Sequence, residues 1–359
     1  MNKKILIVFG TRPEFLKLYP LIVELKKKKK VFHILNTGQH NELLKDQRII
    51  LDELNLKNFD LMKKTKNLSD SFSLILKYVS NHIVKIAPDI VIVQGDTSTA
   101  VASALAAHLN MVKVAHIEAG LRTFDKKNPF PEESNRLLIS KLADYHFAPT
   151  RSAYQNLIKE NIDKKKIFIT GNTIVDTIRL LKKKIKITSS SNVFCTIHRR
   201  ENFGNNFKKI CSNINFLSNK YKYLNFIFTV HPNPNIKKNI LKYLKLSKNL
   251  KIIKPLSFFD SLTMQLSSSA IITDSGGIQE EATTLNKYCI IAREKTERHE
   301  AINSKNCYLV GSDRNKFLKY FSIILNKNKK IKVKKIVLNK TFGDGYATKK
   351  ILKILNKNE

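Results

Sequence analysis

The chain has 359 residues, 42% of them hydrophobic, and 65 Lys plus Arg against 29 Asp plus Glu give a net charge of +36. This length exceeds one typical domain core, so two domains are expected, and the apolar content is enough to fill both. No apolar run reaches the ~18–20 residues that a membrane span needs, and residues 3–10 lead into Thr-Arg-Pro-Glu rather than a cleavage site. We therefore expect neither a membrane partner nor a signal peptide.

The spacing of the cysteines indicates whether the protein contains disulfides or a bound metal ion, and in which cellular compartment it functions. The chain has no C-x-x-C pair among its four cysteines, which are Cys195, Cys211, Cys289 and Cys307. A zinc site and a disulfide framework are therefore not expected, and a reducing cytoplasm fits best. Neither a metal nor another cofactor is predicted.

The positive charge comes mostly from lysines, which are spread over the whole chain in short runs. Such lysines usually lie exposed on helix ends and loops, so we favour this interpretation over a surface that binds nucleic acid. Seven of the arginines fall inside motif-like segments, where a bidentate phosphate or carboxylate partner is the usual reason for arginine. They predict an anionic small molecule as partner; they are Arg12, Arg122, Arg136, Arg199, Arg200, Arg293 and Arg298.

Apolar runs and amphipathic stretches alternate along the chain. In the first half we predict strands at residues 5–9, 31–35, 90–93, 112–117 and 145–148, with helices at 14–28, 71–86 and 97–108. In the second half we predict strands at residues 193–197, 226–230, 251–253, 270–273 and 288–291, with helices between them. This alternation predicts an α/β protein of two Rossmann-like parallel-sheet domains facing a central cleft.

The domain boundary is expected between residues 171 and 186, where a helix at 173–181 precedes a stretch rich in Lys, Thr and Ser. Residues 1–172 would form an N-terminal domain and residues 173–345 a C-terminal domain. The last helix, at 346–359, is too short to be a domain and is expected to pack back on the first.

Three acidic residues lie where an α/β fold gathers its chemistry. Asp96 and Glu118 come just after apolar strand-like runs, and Glu132 lies in the proline-bounded loop Pro-Phe-Pro-Glu-Glu at 129–133. Carboxylates beside loops rich in Arg and Lys predict proton transfer next to an anionic substrate.

Two strand-to-helix loops have the composition of phosphate sites. The first, Gly-Thr-Arg-Pro-Glu at 10–14, would present Arg12 and Lys17, although a purely structural turn explains it equally well. The second, at 274–281, could bind phosphate through the backbone N–H groups of Ser275, Gly276 and Gly277. The alternative for that segment is a glycine turn with Asp274 as an ordinary N-cap.

Other side chains could complete this site. Glu281 would face the same cleft and accept the hydroxyls of a ribose. His198, followed by two arginines at a strand end, is a candidate general acid or phosphate ligand. His231 ends the next strand, and the two prolines that follow it would fix the loop that presents it, although a structural role is equally consistent with its position.

Eight of these segments together resemble the non-hydrolysing UDP-N-acetylglucosamine 2-epimerases. The similarity runs from the first strand to the Phe-Gly-Asp-Gly segment at 342–345, and eight motifs in one order are far more specific than any single motif. The segments are Gly-Thr-Arg-Pro-Glu (10–14), Thr-Gly-Gln-His (37–40), Gln-Gly-Asp-Thr (94–97), Glu-Ala-Gly-Leu-Arg-Thr (118–123), Pro-Phe-Pro-Glu-Glu-Ser-Asn-Arg (129–136), His-Arg-Arg-Glu-Asn-Phe-Gly (198–204), Asp-Ser-Gly-Gly-Ile-Gln-Glu-Glu (274–281) and Thr-Glu-Arg (296–298).

The resemblance implies a fold like that of GT-B glycosyltransferases and the interconversion of UDP-GlcNAc and UDP-ManNAc for surface polysaccharide precursors. The route would be anti-elimination of UDP to 2-acetamidoglucal and re-addition, without cofactor, in a homodimer. Asp96, Glu118 and Glu132 would be the acid-base set, with His198 near the diphosphate. The substrate-binding residues implied are Arg12, Lys17, Arg122, Arg136, His231, Ser275, Gly276, Gly277, Glu281 and Arg298.

Three other functions share some of these features. A hydrolysing epimerase would release ManNAc and UDP, but the intact Gly-Asp-Thr and Gly-Leu-Arg-Thr segments favour the non-hydrolysing type. A GT-B glycosyltransferase would explain the nucleotide site but not three acids in the first domain. A nucleic-acid-binding protein would explain only the charge.

Overall fold

The structure is a computed structural model that describes residues 3–38, 67–185, 191–199, 202, 204–230, 240–328 and 336–357. These residues form two compact units, one from Met1–Leu180 with Phe342–Glu359 and the other from Leu181–Thr341. Each unit is built on a six-stranded sheet in which all paired strands are parallel. The predicted two-domain α/β fold is confirmed, while the predicted limits of 1–172 and 173–345 stay a prediction.

The strands of the first sheet lie in the order β2-β1-β3-β4-β5-β6. Their bounds are β1 (Ile5–Phe9), β2 (Phe32–Asn36), β3 (Ile90–Gln94), β4 (Lys113–Ile117), β5 (Tyr145–Ala148) and β6 (Ile167–Ile169). The second sheet has the order β12-β11-β10-β7-β8-β9. Its bounds are β7 (Asn192–Thr196), β8 (Asn225–Thr229), β9 (Leu250–Ile253), β10 (Ala270–Thr273), β11 (Cys289–Ile291) and β12 (Cys307–Leu309).

The α-helices of the described residues connect these strands or follow them. They are α1 (Arg12–Lys27), α2 (Leu68–Ile86), α3 (Ser98–Leu109), α4 (Glu132–Leu142), α5 (Arg151–Lys159), α6 (Thr173–Leu181), α7 (Asn205–Lys220), α8 (Phe258–Ser267), α9 (Gly276–Thr284), α10 (His299–Asn303), α11 (Arg314–Asn328) and α12 (Ala347–Lys357). None of those helices is both long and apolar enough to cross a membrane.

Each sheet is buried because its strands are nearly continuous apolar runs, as parallel strands covered on both faces must be. In the first unit, β1 and β3 pack against α2 and against α3, whose small alanines allow close approach. The terminal helix α12 packs on α1, and Lys3 Nζ donates to the carbonyl of Leu355 at 2.7 Å. In the second unit, aromatic residues of β8, α7 and α11 fill the core.

The strand order identifies where each sheet can bind a ligand. In the first sheet, β2 and β3 lie on opposite sides of β1, so the strand order reverses at β1. In the second sheet, β8 and β10 lie on opposite sides of β7, so the order reverses at β7. In such sheets the loops at the carboxyl ends of the strands diverge at the reversal and leave a crevice. The crevice of the first sheet therefore lies after β1 and β3, and that of the second after β7 and β10.

Candidate functional site

The acidic residues of the first unit meet at the carboxyl edge of its sheet. Gln94 of β3 pairs with Ile117 of β4, so the loop that carries Asp96 and the residue Glu118 both follow directly after paired strand ends. Asn135 of α4 donates through Nδ2 to the Asp96 carbonyl at 2.8 Å, which fixes the start of that helix against the same loop. The edge therefore gathers all three elements that carry the predicted acid-base residues.

Glu132 does not lie in a loop, as the sequence predicted, but is the first residue of α4. Pro131 occupies the N-cap position, and two glutamates in the first turn suit the positive end of the helix dipole. The proline-rich segment therefore starts a helix whose first turn faces the Asp96 loop.

Asp96 is bound by Arg136 of α4. Arg136 donates to Asp96 Oδ2 through Nε at 2.8 Å and pairs with the same oxygen through Nη2 at 2.6 Å. Its Nη1 binds Glu133 Oε2 at 2.8 Å, and Glu133 accepts the amides of Thr123 and Phe124, each at 3.0 Å. The Asp96 side chain keeps 25% of its surface exposed, against 5% for Arg136. The arginine therefore stabilises the negative charge of a carboxylate that still reaches solvent.

Glu118 forms a buried ion pair with Lys17, so Lys17 does not project at the mouth of the loop as predicted. The Glu118 carboxylate also accepts Nδ2 of Asn172 at 3.3 Å. The backbone of Glu118 has a φ of 68°, a left-handed conformation that costs a non-glycine residue free energy and recurs at functional sites. Lys17 therefore stabilises the negative charge of Glu118, a carboxylate of the same unit.

The loop between β1 and α1 carries Arg12 as the first, half-buried residue of the helix. Glu14, which the sequence analysis did not single out, is 1% exposed and accepts hydrogen bonds from both Gly10 and Thr11. Burial raises the pKa of Glu14 to about 7, against the opposing effect of hydrogen bonds led by that from Thr97. The pattern Thr-x-x-Glu at 11–14 is a capping-box signal that could have identified it.

His116 supports the Asp96 loop from within the sheet. Its Nε2 donates to the carbonyl of Gly95 at 2.7 Å. Burial lowers the pKa of His116 to about 4, so the imidazole is neutral and holds one tautomer at neutral pH. His146 is its partner in the register of β4 with β5, and burial lowers the pKa of His146 to about 3.

Arg122 lies among protein partners. Its guanidinium binds both carboxylate oxygens of Glu160, at 2.6 and 2.7 Å, and also the Leu121 carbonyl and the Ser140 hydroxyl. The residue is 2% exposed. Its role in substrate binding stays a prediction, and these contacts favour a structural role that fixes the segment after Glu118.

In the second unit, α9 begins at the carboxyl end of β10. Ser275 is its N-cap and makes no side-chain capping bond, and Gly276 and Gly277 form the first turn. First-turn N–H groups have no partner within a helix, and the dipole favours an anion there. Asp274 is not the N-cap, so that alternative is wrong.

The Asp274 side chain instead binds the loop after β7. It is fully buried and accepts the amides of His198, at 3.0 and 3.1 Å, and of Arg199 at 2.9 Å, together with Asn202 Nδ2 at 2.8 Å. His198 Nδ1 lies 3.7 Å from Asp274 Oδ1. Burial lowers the pKa of His198, which the charge of Asp274 opposes. The predicted His198 and the glycine loop, residues 275–277, are thus joined through one carboxylate.

Glu281 lies in the second turn of α9 and is 8% exposed. Gln265 of α8 donates through Nε2 to Glu281 Oε2 at 2.5 Å and is itself fully buried. The sequence analysis missed Gln265, since only the fold brings α8 beside α9.

Arg298 lies beneath the glycine loop. Its Nε donates to Glu280 at 2.7 Å and its Nη1 to Glu297, and all three residues are buried. A Cβ on Gly276 would lie 2.5 Å from Arg298 Nη1, so only glycine fits over the guanidinium. Arg298 is predicted to bind substrate, and its contacts favour support of the loop from below.

Some predicted residues lie outside the described part of the chain: Gln39, His40, Arg200 and His231. Within the described part, no group of three His, Cys, Asp or Glu side chains is placed to hold a metal ion. All four cysteines are described, and each is a buried free thiol.

Together these residues provide two kinds of chemistry. The first unit holds carboxylates that can exchange protons, two of them, Asp96 and Glu118, each bound to a buried cation. The second unit offers a helix N-terminus with glycines, next to a histidine, for a phosphate, and a carboxylate one turn further.

Comparisons with known proteins identify the family of this chain. A family model described as UDP-N-acetylglucosamine 2-epimerase matches residues 23–356. The UDP-N-acetylglucosamine 2-epimerase of Campylobacter jejuni is 38% identical over 100% of this chain and 99% of its own. The crystal structure of UDP-GlcNAc 2-epimerase from Neisseria meningitidis bound to UDP-GlcNAc gives a TM-score of 0.90 at 36% identity, covering 99% of this chain and 100% of that one. A lipopolysaccharide outer core galactosyltransferase, 13% identical with a TM-score of 0.58 over 99% of this chain and 100% of its own, shares the fold alone.

Proposed function

Since the chain belongs to the UDP-N-acetylglucosamine 2-epimerase family, we propose that it interconverts UDP-GlcNAc and UDP-ManNAc without releasing the free sugar. The observation that carries this proposal is the pair of strand-end carboxylates, Asp96 and Glu118, each stabilised by a buried cation. A glycosyltransferase needs a nucleotide site but has no use for such a set of proton carriers.

The reaction has two steps that balance without water. A carboxylate takes the C2 proton while the C1–O bond to UDP breaks, which leaves 2-acetamidoglucal with a C1=C2 double bond. A carboxylic acid then returns a proton to the other face of C2, and a UDP oxygen re-forms the bond to C1. Because the C2 proton is barely acidic, its removal depends on stabilising the charge that grows on the leaving diphosphate.

The first unit would act on the sugar ring. Asp96, Glu118 and Glu132 are the proposed proton carriers, and the structure supports this by gathering their elements at one sheet edge. We assign Arg136 to Asp96 and Lys17 to Glu118, since each cation stabilises the ionised form of the carboxylate it contacts. Arg12, at the first position of α1, would supply positive charge for the diphosphate.

The second unit would hold UDP. The amides of Ser275, Gly276 and Gly277 are proposed to bind phosphate, with His198 beside them, and Glu281 to bind the ribose hydroxyls. Asp274, Gln265 and Arg298 would support these groups from behind, as their contacts indicate. His231 keeps its predicted role as a substrate contact.

Product analysis separates this proposal from the hydrolysing alternative. Purified enzyme incubated with UDP-GlcNAc should give UDP-ManNAc, and the mixture should reach a constant ratio of the two nucleotide sugars with UDP only in trace amounts. Anion-exchange chromatography resolves these products. Accumulation of UDP and free ManNAc in equal amounts would instead identify a hydrolysing epimerase, and no change in UDP-GlcNAc would refute both.

We also propose that the enzyme is a cytoplasmic homodimer whose product serves polysaccharide synthesis. Exposed apolar side chains on the first unit support self-association: Val84 at the end of α2, Leu109 at the end of α3, and Met111, which is 93% exposed. Light scattering during gel filtration should give twice the 41.3 kDa chain mass. A monomer at micromolar concentration would contradict the dimer.

A further inference from the structure

Glu14 makes more contacts than a capping residue needs. In a capping box, the third residue of a helix accepts one N-cap amide through its side chain. Here Glu14 Oε2 accepts the amides of Gly10 at 3.0 Å and Thr11 at 2.7 Å, and also the Thr11 hydroxyl at 2.8 Å. The second oxygen, Oε1, accepts the hydroxyl of Thr97 at 2.5 Å. This last bond reaches the residue after Asp96, on the neighbouring loop of the sheet.

Thr97 links Glu14 to the start of α3. Thr97 is the N-cap of α3, and its hydroxyl oxygen accepts the amide of Ala100 at 3.0 Å. The same hydroxyl donates to Glu14 Oε1. The two oxygens of Glu14 thus contact two different loops, Oε2 the loop after β1 and Oε1 the loop after β3.

This bond crosses the crevice predicted by the strand order. The loop after β1 carries Arg12, the loop after β3 carries Asp96, and β1 and β3 are neighbours at the point where the strand order reverses. His116 of β4 and Asn135 of α4 also contact the Asp96 loop. Glu14 joins the Asp96 loop to the Arg12 loop, since it binds Thr97 as well as Thr11.

We propose that Glu14 is a positioning residue for the epimerisation, and that its carboxylate holds the loop of Asp96 in register with the loop of Arg12. It touches no reacting atom. It acts through Thr97 and the amides of residues 10 and 11. These contacts keep Asp96 and Arg12 in place relative to each other. This inference rests on the proposed function.

A purely structural role is the alternative, and the same unit contains a matched control. Asp176 of α6 is also a carboxylate only 1% exposed, and it accepts the amides of Ala347 and Thr348, at 3.1 and 3.0 Å, far along the chain. Its contacts bind the start of α12 and reach neither the Arg12 loop nor the Asp96 loop. Loss of Asp176 should therefore weaken folding without altering turnover.

The test compares Glu14→Gln, Asp176→Asn and Thr97→Val with the wild type. The amide introduced by Glu14→Gln keeps the shape of the side chain but replaces one acceptor oxygen with a donor, so at least one of the four donors that bind Glu14 loses its acceptor. Each variant is assayed for kcat and KM with UDP-GlcNAc, for the Kd of UDP, and for melting temperature. We expect kcat of Glu14→Gln to fall at least tenfold, with the Kd of UDP within twofold of wild type. Asp176→Asn should melt lower yet keep kcat within twofold.

Thr97→Val removes the other end of the same bond and serves if Glu14→Gln does not fold. It should lower kcat as well, and the double variant should be no more than twofold slower than Glu14→Gln alone, since both remove one link. The proposal is overturned if Glu14→Gln keeps kcat within twofold, or if Asp176→Asn loses as much kcat as Glu14→Gln. An inactive wild type would instead overturn the proposed function, which the wild-type assay shows separately.

Discussion

The two glycines at the start of α9 should respond in opposite ways to replacement by alanine. Gly276→Ala should destabilise the second unit, and Gly277→Ala should stabilise it. A Cβ on Gly276 would lie 2.5 Å from Nη1 and 2.6 Å from Cζ of Arg298, whereas ordinary contacts begin near 3.4 Å. A Cβ on Gly277 would meet Glu281 Oε1 at 3.6 Å and Ser275 Oγ at 3.9 Å, which are ordinary contacts. Neither glycine has a positive φ, so backbone conformation is not the difference.

The magnitude follows from what holds Arg298. The guanidinium would have to move by about 1 Å, but Glu280 and Glu297 bind it and the residue is 6% exposed. Overpacking of this kind costs about 1–3 kcal/mol, and a strained hydrogen bond to a charged group about 1.5–3 kcal/mol. Alanine gains about 0.5–1 kcal/mol over glycine in a helix. We expect Gly276→Ala to destabilise the second unit by about 3.5 kcal/mol and Gly277→Ala to stabilise it by about 0.5 kcal/mol.

Hydrogen exchange of the ligand-free protein measures this directly, since peptides covering β10 and α9 report the stability of that unit without assuming that both units unfold together. Gly276→Ala should exchange faster there than the wild type, and Gly277→Ala no faster. Equal protection in the two variants would show that Arg298 yields readily, and the proposed support of the glycine loop would be wrong.

Three further predictions concern the chemistry, the buried histidines and the ribose contact. Turnover of UDP-GlcNAc should fall about a hundredfold or more, with the fold retained, in each of Asp96→Asn, Glu118→Gln and Glu132→Gln; full activity in all three would end the acid-base assignment. The pKa of His146 falls from 6.5 to about 3 on folding, so its stabilisation is complete above pH 6.5 and is lost as the pH falls. Between pH 7 and 4.5 the wild type should lose about 2.5 kcal/mol more free energy of unfolding than His146→Leu in urea unfolding, and parallel curves would contradict this. Gln265→Leu should reduce the preference of the enzyme for UDP over 2′-deoxy-UDP about tenfold in calorimetry, and an unchanged preference would show that Gln265 does not orient Glu281.

The fold was largely predictable because each central strand is a short apolar run between polar segments. Every strand predicted from the sequence is present, with bounds shifted by at most one residue. The strands that were missed, β6 (Ile167–Ile169) and β12 (Cys307–Leu309), have three residues each and lie at sheet edges. Three residues give too little periodicity to separate a strand from a loop.

The sequence predicted which residues form the candidate site. It did not predict which cation binds which carboxylate. Asp96 and Glu118 could be found because strand ends are recognisable, but their cations lie 40 and 101 residues away in the chain. No local pattern shows that Arg136 serves Asp96 or that Lys17 serves Glu118, since the tertiary fold decides these contacts. For the same reason Arg122, chosen as a substrate ligand for its charge, is bound on every side by protein groups.

The most direct test of the central claim follows the hydrogen at sugar C2. Purified enzyme is incubated with UDP-GlcNAc in D2O, and proton NMR follows the C2 signals of both nucleotide sugars. Proton transfer by carboxylates of the first unit, with UDP retained by the second, predicts that deuterium replaces hydrogen at C2 in UDP-ManNAc and in the recovered UDP-GlcNAc. Conversion to UDP-ManNAc with hydrogen fully retained at C2 would contradict it.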